Sequence, residues 1–431
     1  MSLASSIALS NLELTRFFIA LVLLLFSAHL CSFLFDRIKL PRVISEILAG
    51  LLLGPSLFGY FYPSAEDWIF SAFPPEGQLL SLVTWFGLIL LMFISGVEIH
   101  GTFNKEDRKI ATSFLLGATV LPFLVGSGLT RAFNFGSYAG SSSNPISLSL
   151  VIGIAVAVTS IPVISKIFID LKIMRTHYAR IVLVIATIED SILYAVLAIA
   201  TGIAGASSPS TSTVAIVVAL TAVFLLVGTL IVPRILRRLT TTKARVLMEL
   251  SHSRFALFFL FLFVAVAALF NVNVVFGAFL AGIAIGTVPQ DTFAKATESI
   301  KKISLALFTP AYFAIVGLQL DLVHRLDIVM FISFLLLSSS LKIGGALGVG
   351  RLIRKSWSSS VNLAIGLNAR GGPGIVLATV AFAAGIISEQ FFVALVLVAI
   401  VTSLVTGYWL RYVIANGRPL LEEDSHQQQH R

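Results

Sequence analysis

The sequence predicts an all-α polytopic membrane protein: thirteen transmembrane helices, two inverted six-helix repeats joined by a linker helix, and two broken crossing helices. Three observations carry that expectation. Of 431 residues, 57% are apolar and only 12% charged, against about 45–50% and 25% in an ordinary soluble domain, and the mean hydropathy is +0.97. The apolar residues fall in blocks of about 17 to 25, the length that spans a hydrocarbon core of about 30 Å. Two of those blocks are interrupted near their centres by proline. The composition alone excludes a water-soluble enzyme.

The blocks run over 15–35, 41–60, 79–98, 110–130, 147–170, 179–203, 214–233, 254–270, 274–288, 303–320, 327–353, 359–385 and 389–413. Splitting 254–288 at Asn271-Val272-Asn273 leaves two short helices, and charge decides the matter. With thirteen spans, all but five of the 30 Lys and Arg fall in alternate connections or in the tail. Arg16, Arg131 and Arg325 lie on the other side with the acidic Glu66, Asp67 and Glu76, while Lys342 and Arg370 lie within spans. Merging the short pair would move Lys295, Lys301 and Lys302 across and break the pattern. The positive-inside rule then puts the amino terminus outside and the carboxyl terminus in the cytoplasm, in the cell (inner) membrane.

The net charge of +9 is thus an orientation signal, not a nucleic-acid-binding face. The single cysteine, Cys31, excludes an intrachain disulfide and a cysteine metal cluster. Met1 to Asn11 lacks a basic n-region, so the first helix is expected to be retained. Residues 1–431 are expected to form one membrane domain without a soluble regulatory domain. There is no Gly-x-x-x-x-Gly-Lys-Ser/Thr motif, so transport would run on an ion gradient.

The fifth span contains Val158-Thr159-Ser160-Ile161-Pro162, where Pro162 deprives the Val158 carbonyl of its helical partner. The twelfth contains Asn368-Ala369-Arg370-Gly371-Gly372-Pro373-Gly374, where Pro373 frees the Ala369 carbonyl and the glycines loosen the chain. Plain kinks are the alternative. Each break, however, is the fifth member of its six-helix unit, and the linker at 214–233 turns the second unit upside down. Transporters built from inverted repeats place an ion at the midplane, between discontinuous helices.

Span six carries Glu189 and Asp190 side by side near its centre. Each would cost several kcal/mol facing lipid. Neighbouring helical positions are about 100° apart, so the two can have different partners and different tasks. Structural salt bridges are the alternative reading. Lys342 in span eleven is the available partner, and a carboxylate paired with it stays ionised while its neighbour binds and releases a proton. A site that holds either a proton or a metal cation couples their fluxes. Arg370 is read as neutralising a half-helix end and the freed carbonyls. Glu46 and Glu98, close to the interface, are read as local pairs or caps, and His29 as a packed core histidine. His100 and His177 lie in cytoplasmic connections.

Leu40-Pro41-Arg42-Val43-Ile44-Ser45-Glu46-Ile47-Leu48-Ala49-Gly50 with Leu53-Gly54-Pro55-Ser56, and Leu88-Ile89-Leu90-Leu91-Met92-Phe93-Ile94-Ser95-Gly96-Val97-Glu98, resemble signatures of the monovalent cation/proton antiporter superfamily, the sodium/proton exchanger fold. Phe276-Gly277-Ala278-Phe279-Leu280-Ala281-Gly282 and Thr309-Pro310-Ala311-Tyr312-Phe313 extend the likeness over most of the chain. The resemblance implies a homodimer in which 110–203 and 327–413 form a mobile ion-carrying core. That core slides, elevator-like, against a dimerisation scaffold of 15–98 and 254–320. It also implies that Asp190 is the ion- and proton-binding acid, that Thr159 and Ser160 lie in the unwound stretch beside it, and that Lys342 is the basic partner. Glu189 stands where relatives carry aspartate, asparagine or glutamine, which leaves ion and stoichiometry open. Arg370-Gly371-Gly372 stands where many carry Arg-Gly-Glu. The nucleotide-sensing domain common in potassium-efflux relatives is not expected in this chain, which would favour sodium.

The function expected is exchange of Na⁺ for H⁺, with K⁺/H⁺ exchange as the alternative and an organic-anion symporter or channel of similar fold as the rival class. The buried acids argue against an anion symporter. No nucleophile, base and orienter set supports an enzyme, and no cofactor is expected. The expected partners are monovalent cations, protons, membrane lipids and a second copy of the chain, with no nucleic acid.

Overall fold

The computed structural model describes residues 10–37, 40–71, 74–98, 105–132, 135–174, 176–204, 210–241, 251–270, 272–288, 290–422 and 424. The regular elements of the described chain are all helices, with one isolated antiparallel bridge between Ala139 and Ile387. Among the described residues, eleven helices are long and apolar enough to cross a membrane; Pro145–Ala157 and Val274–Gly286 are shorter apolar helices. The stretch 254–288 is indeed two helices, His252–Leu269 and Val274–Gly286. Asn273 ends the interruption by accepting from the N–H groups of Val275 (2.9 Å) and Phe276 (3.4 Å), a local cap that competes with helix continuation.

The chain forms two compact units: Met1–Ile94 with Ala294–Leu326, and Ser95–Phe293 with Asp327–Arg431. In the smaller unit, helix Arg42–Leu53 lies against Thr309–Leu318 at backbone contact. A Cβ on Gly50 would sit 1.8 Å from the Ala314 oxygen, and one on Gly317 would sit 2.0 Å from that of Ile47. Small residues allow this approach where lipid supplies no hydrophobic drive between helices. The Gly-rich stretch around Gly50 is therefore a packing signature. Ala20, Leu24, Phe70, Leu80 and Ile315 build the surrounding core.

In the larger unit, helix Lys109–Arg131 meets Ile328–Leu352 where Gly117 faces Gly345, whose added Cβ would lie 1.9 Å from the Gly117 oxygen. That contact sits in a one-turn π-bulge, Leu116–Val120. The bulge widens the helix beside a crossing, as such insertions do near functional sites.

Both interrupted spans are resolved as half-helices: Pro145–Ala157 then Ile161–Asp170, and Trp357–Leu367 then Gly371–Ala383. The first break differs in cause from the sequence expectation. Val158 and Ser160 are already extended, and Pro162 lies in the first turn of the following half-helix, where a missing N–H costs nothing. Ser160 starts that half-helix as its N-cap, accepting from the Val163 N–H at 3.3 Å. The second break turns on Gly371, at φ +33°, where a Cβ would meet Val163 Cγ2 at 2.4 Å and Ser160 Oγ at 2.6 Å. Only glycine fits there.

Candidate ion site at the crossing of two helix breaks

The two interruptions are stitched together. The Ser160 N–H donates to the Ala369 carbonyl at 2.6 Å, so the carbonyl that Pro373 frees is taken by the other break. The Ser160 hydroxyl accepts from the Gly372 N–H at 3.2 Å, and the Gly371 N–H donates to Ser403 Oγ at 3.1 Å. Thr159 Oγ1 lies 2.6 Å from the Leu367 carbonyl and 3.0–3.1 Å from both oxygens of Glu189. One hydroxyl proton cannot serve all three at once. Thr159 therefore has alternative partners in the two breaks' shared interior.

Helix His177–Gly202 delivers Glu189 and Asp190 to this crossing, 0% and 2% exposed. Lys342, fully buried on Ile328–Leu352, places Nζ 2.6 Å from Glu189 Oε1 and donates also to the Ala157 carbonyl. That carbonyl is the last of the half-helix Pro145–Ala157, where the backbone dipole favours a cation. Arg370 Nη2 reaches the Val156 carbonyl of the same half-helix at 3.4 Å, and its Nη1 donates to Ser338 Oγ at 2.6 Å. Two cations thus neutralise one half-helix end and one carboxylate. Arg370 caps the other broken helix, not its own.

Asp190 differs from its neighbour in one respect. Its Oδ1 is buried and has no hydrogen-bond partner among the described residues. A buried carboxyl oxygen without a donor is costly, and either a proton or a cation relieves that cost. Glu189 is thus partnered while Asp190 Oδ1 is not, a difference in surroundings that their angular spacing allows.

The six residues singled out from the sequence, Thr159, Ser160, Glu189, Asp190, Lys342 and Arg370, all belong to this one buried cluster. Sequence reasoning missed Ser338, Ser403, Asn368 and Thr402. Asn368 Oδ1 accepts from Arg370 Nη2 at 3.5 Å while its Nδ2 donates to Ser339 Oγ at 3.3 Å, and Thr402 Oγ1 accepts from the Arg370 N–H at 3.4 Å. The useful signal would have been a small hydroxyl or amide one turn from an intramembrane charge. Thr119, 2% exposed in the π-bulge, is a further buried hydroxyl that no sequence pattern marks. Among the described residues no group of three or more His, Cys, Asp or Glu is placed to hold a metal ion.

Known proteins of the same build carry ion-exchange names. The chain is 29% identical over 411 residues to "K(+)/H(+) antiporter 1" of Saccharomyces cerevisiae, covering 92% of this chain and 46% of that protein. It is 27% identical to "Na(+)/H(+)-K(+) antiporter GerN" of Bacillus cereus, covering 92% and 96%. "Cation/H(+) antiporter 17" of Arabidopsis thaliana is also 27% identical, with 94% and 49% covered. The chain spans about half the length of the yeast and plant relatives. A solved structure, the sodium proton antiporter MjNhaP1 from Methanocaldococcus jannaschii, shares the fold with a TM-score of 0.64 at 14% identity, over 92% of this chain and 97% of that one.

Interrupted helices crossing beside buried acids, in a chain of this likeness, define a member of the monovalent cation/proton antiporter superfamily. The family model described as "Sodium/hydrogen exchanger, transmembrane" matches residues 22–415. The chain belongs to that family, one of multi-pass membrane transporters, not enzymes.

Proposed function

We propose that this chain exchanges Na⁺ for H⁺ across the membrane by competition of the two cations for Asp190. The observation that carries the reading is the unpartnered Asp190 Oδ1 beside a Glu189 carboxylate already paired with Lys342. A proton on Asp190 satisfies the site as a neutral group; a sodium ion satisfies it by bonding to Asp190, with the hydroxyls and carbonyls of Thr159 and Ser160 completing its shell. An empty, charged site is reluctant to cross the bilayer, and that reluctance couples the two movements. Transported cations are cargo, so no resident cofactor is needed.

The wider reading has thirteen spans in two inverted repeats, counting as crossings the short helix Val274–Gly286 and the broken fifth span, whose first half is the short helix Pro145–Ala157. The core of 110–203 and 327–413 moves against a scaffold of 15–98 and 254–320 in a homodimer, with 214–233 as linker. The described helices His252–Leu269 and Val274–Gly286 pack within the larger unit, and there the functional and the contact divisions part. The charge bias supports a cell membrane location with the amino terminus outside. K⁺/H⁺ exchange is the second reading, favoured by the potassium in the yeast and Bacillus cereus relatives' names.

The test is transport by the purified protein in liposomes loaded with a pH-sensitive dye, with Na⁺, K⁺ or Li⁺ added under a clamped potential. Sodium should drive a pH change that Asp190→Asn abolishes while leaving the protein folded. A response to potassium alone selects the second reading, and no response to any ion removes both.

A further inference from the structure

The smaller unit holds a cavity of about 420 Å³ whose walls include Glu46, Asp36, Arg42, His29, Phe33 and Leu305. His29 departs from the sequence expectation of a packed core residue, being exposed on the wall of this space, while Glu46 has the expected local partner in the charge of Arg42 one turn away. Glu46 is 8% exposed and lines this space, and among the described residues no group donates a hydrogen bond to it. A carboxyl group nine-tenths buried and aimed into a cavity without a donor calls for a ligand that brings one.

We propose that this cavity binds a phospholipid carrying a primary-ammonium headgroup. Three features select that class. Asp36 closes helix Asn11–Asp36, and Arg42 and Glu46 open the next helix, Arg42–Leu53, so the polar walls lie at a membrane-facing helix end where headgroups sit. Two acids and one guanidinium on a common wall match a zwitterion: the phosphate at Arg42, the ammonium at Glu46 and Asp36. Phe33 and Leu305, 62% and 49% exposed, lead from the polar end onto apolar surface along which acyl chains would lie. A primary ammonium supplies three N–H donors, whereas a trimethylammonium supplies none. An anionic headgroup without an amine would meet the two acids with its own charge. The site involves no residue of the proposed ion site, and its test reads no ion flux, so either proposal can fail without the other.

The experiment is native mass spectrometry of the delipidated full chain with equal amounts of phosphatidylethanolamine, phosphatidylcholine and phosphatidylglycerol. Ethanolamine lipid should be retained about tenfold over choline lipid, the ratio that one charge-assisted hydrogen bond gives. Glu46→Gln and, independently, the solvent-facing Asp36→Asn should shrink that ratio. Arg42→Gln should lower binding of all three lipids alike. Equal retention of ethanolamine and choline lipids overturns the proposal. So does preference for the glycerol lipid, or an ethanolamine preference that survives Asp36→Asn and a folded Glu46→Gln unchanged.

Discussion

The Ser160 N–H donates to the Ala369 carbonyl across 2.6 Å, joining the middle of one interrupted helix to the middle of the other. Two separate kinks would each leave a polar gap to be filled by water or side chains. Here each break supplies what the other lacks. The crossing is therefore one unit, and a cation at the proposed site beside it would meet a backbone held from both sides.

Gly371 is the residue that lets the two breaks approach. At φ +33°, with Ser160 Oγ and Val163 Cγ2 crowding the place of a Cβ, Gly371→Ala should strain the backbone and push the chains apart. Such strain costs about 1–3 kcal/mol. The expected result is a lower melting temperature in detergent and impaired exchange in liposomes. Gly348→Ala, where a Cβ meets nothing within 4 Å, should change neither.

Lys342 and Glu189 form a buried pair, so removing one charge is worse than removing both. Lys342→Gln leaves Glu189 uncompensated and should destabilise the protein by about 3–5 kcal/mol. Adding Glu189→Gln should recover much of that loss, and thermal unfolding of the single and double variants measures the coupling. Additive losses would show that the 2.6 Å contact contributes nothing.

Much of this site was legible in the chain, and the reason is solvent. In a hydrocarbon core each Pro, Gly, acid or base stands against an apolar background, so Glu189, Asp190, Lys342 and Arg370 were visible as exceptions. That Lys342 pairs with an acid was legible too; which of the two acids it takes, and the backbone carbonyl it also holds, were not. Lys342 reaches Glu189 and the Ala157 carbonyl on two other helices, a meeting that linear spacing does not carry, and Leu116–Val120 carries no mark of its π-bulge. The first break lies where the sequence puts it, but its cause is different. Pro162 was the conspicuous residue, yet Val158 to Ser160 leave the helix before it because Ser160, Thr159 and Ala157 all have partners elsewhere. Hydroxyls such as Ser338 and Ser403 look ordinary in sequence and acquire a role only from the helix opposite.

Asp327, which precedes the described spanning helix Ile328–Leu352 as its N-cap, gives a pH-dependent test. It caps helix Ile328–Leu352, accepting from the Met330 N–H at 2.9 Å and the Tyr138 hydroxyl at 2.8 Å. The Met330 N–H first, then the Tyr138 hydroxyl, hold its carboxyl below the usual carboxylate range. A group whose pKa falls on folding stabilises the fold above its unfolded value, and the gain disappears as pH drops through its folded value. Asp327→Asn should therefore lower the melting temperature at neutral pH, and the gap to the parent should narrow as the pH falls below about 4. A gap that stays constant with pH would assign the effect to packing.

The last prediction concerns the end of the described chain. Asp424 accepts from the N–H groups of His177 (2.8 Å) and Tyr178 (3.4 Å), capping the helix that carries Glu189 and Asp190. Leu420 and Leu421 are buried in the same core, and the Leu420 carbonyl accepts from Asn362 Nδ2 at 3.0 Å. Asn362 itself lies on the half-helix Trp357–Leu367, so this segment holds both the helix of Glu189 and Asp190 and one broken helix. Two N–H groups at a helix start have no intrahelical acceptor, and an acid there satisfies them and complements the dipole. Asp424→Ala should cost about 1 kcal/mol and speed hydrogen exchange at the amides of His177 and Tyr178. Leu421→Ala removes a fully buried side chain and should cost about 2–5 kcal/mol. If amide exchange at His177 is unchanged in Asp424→Ala, the cap is not a source of order at that end of the helix.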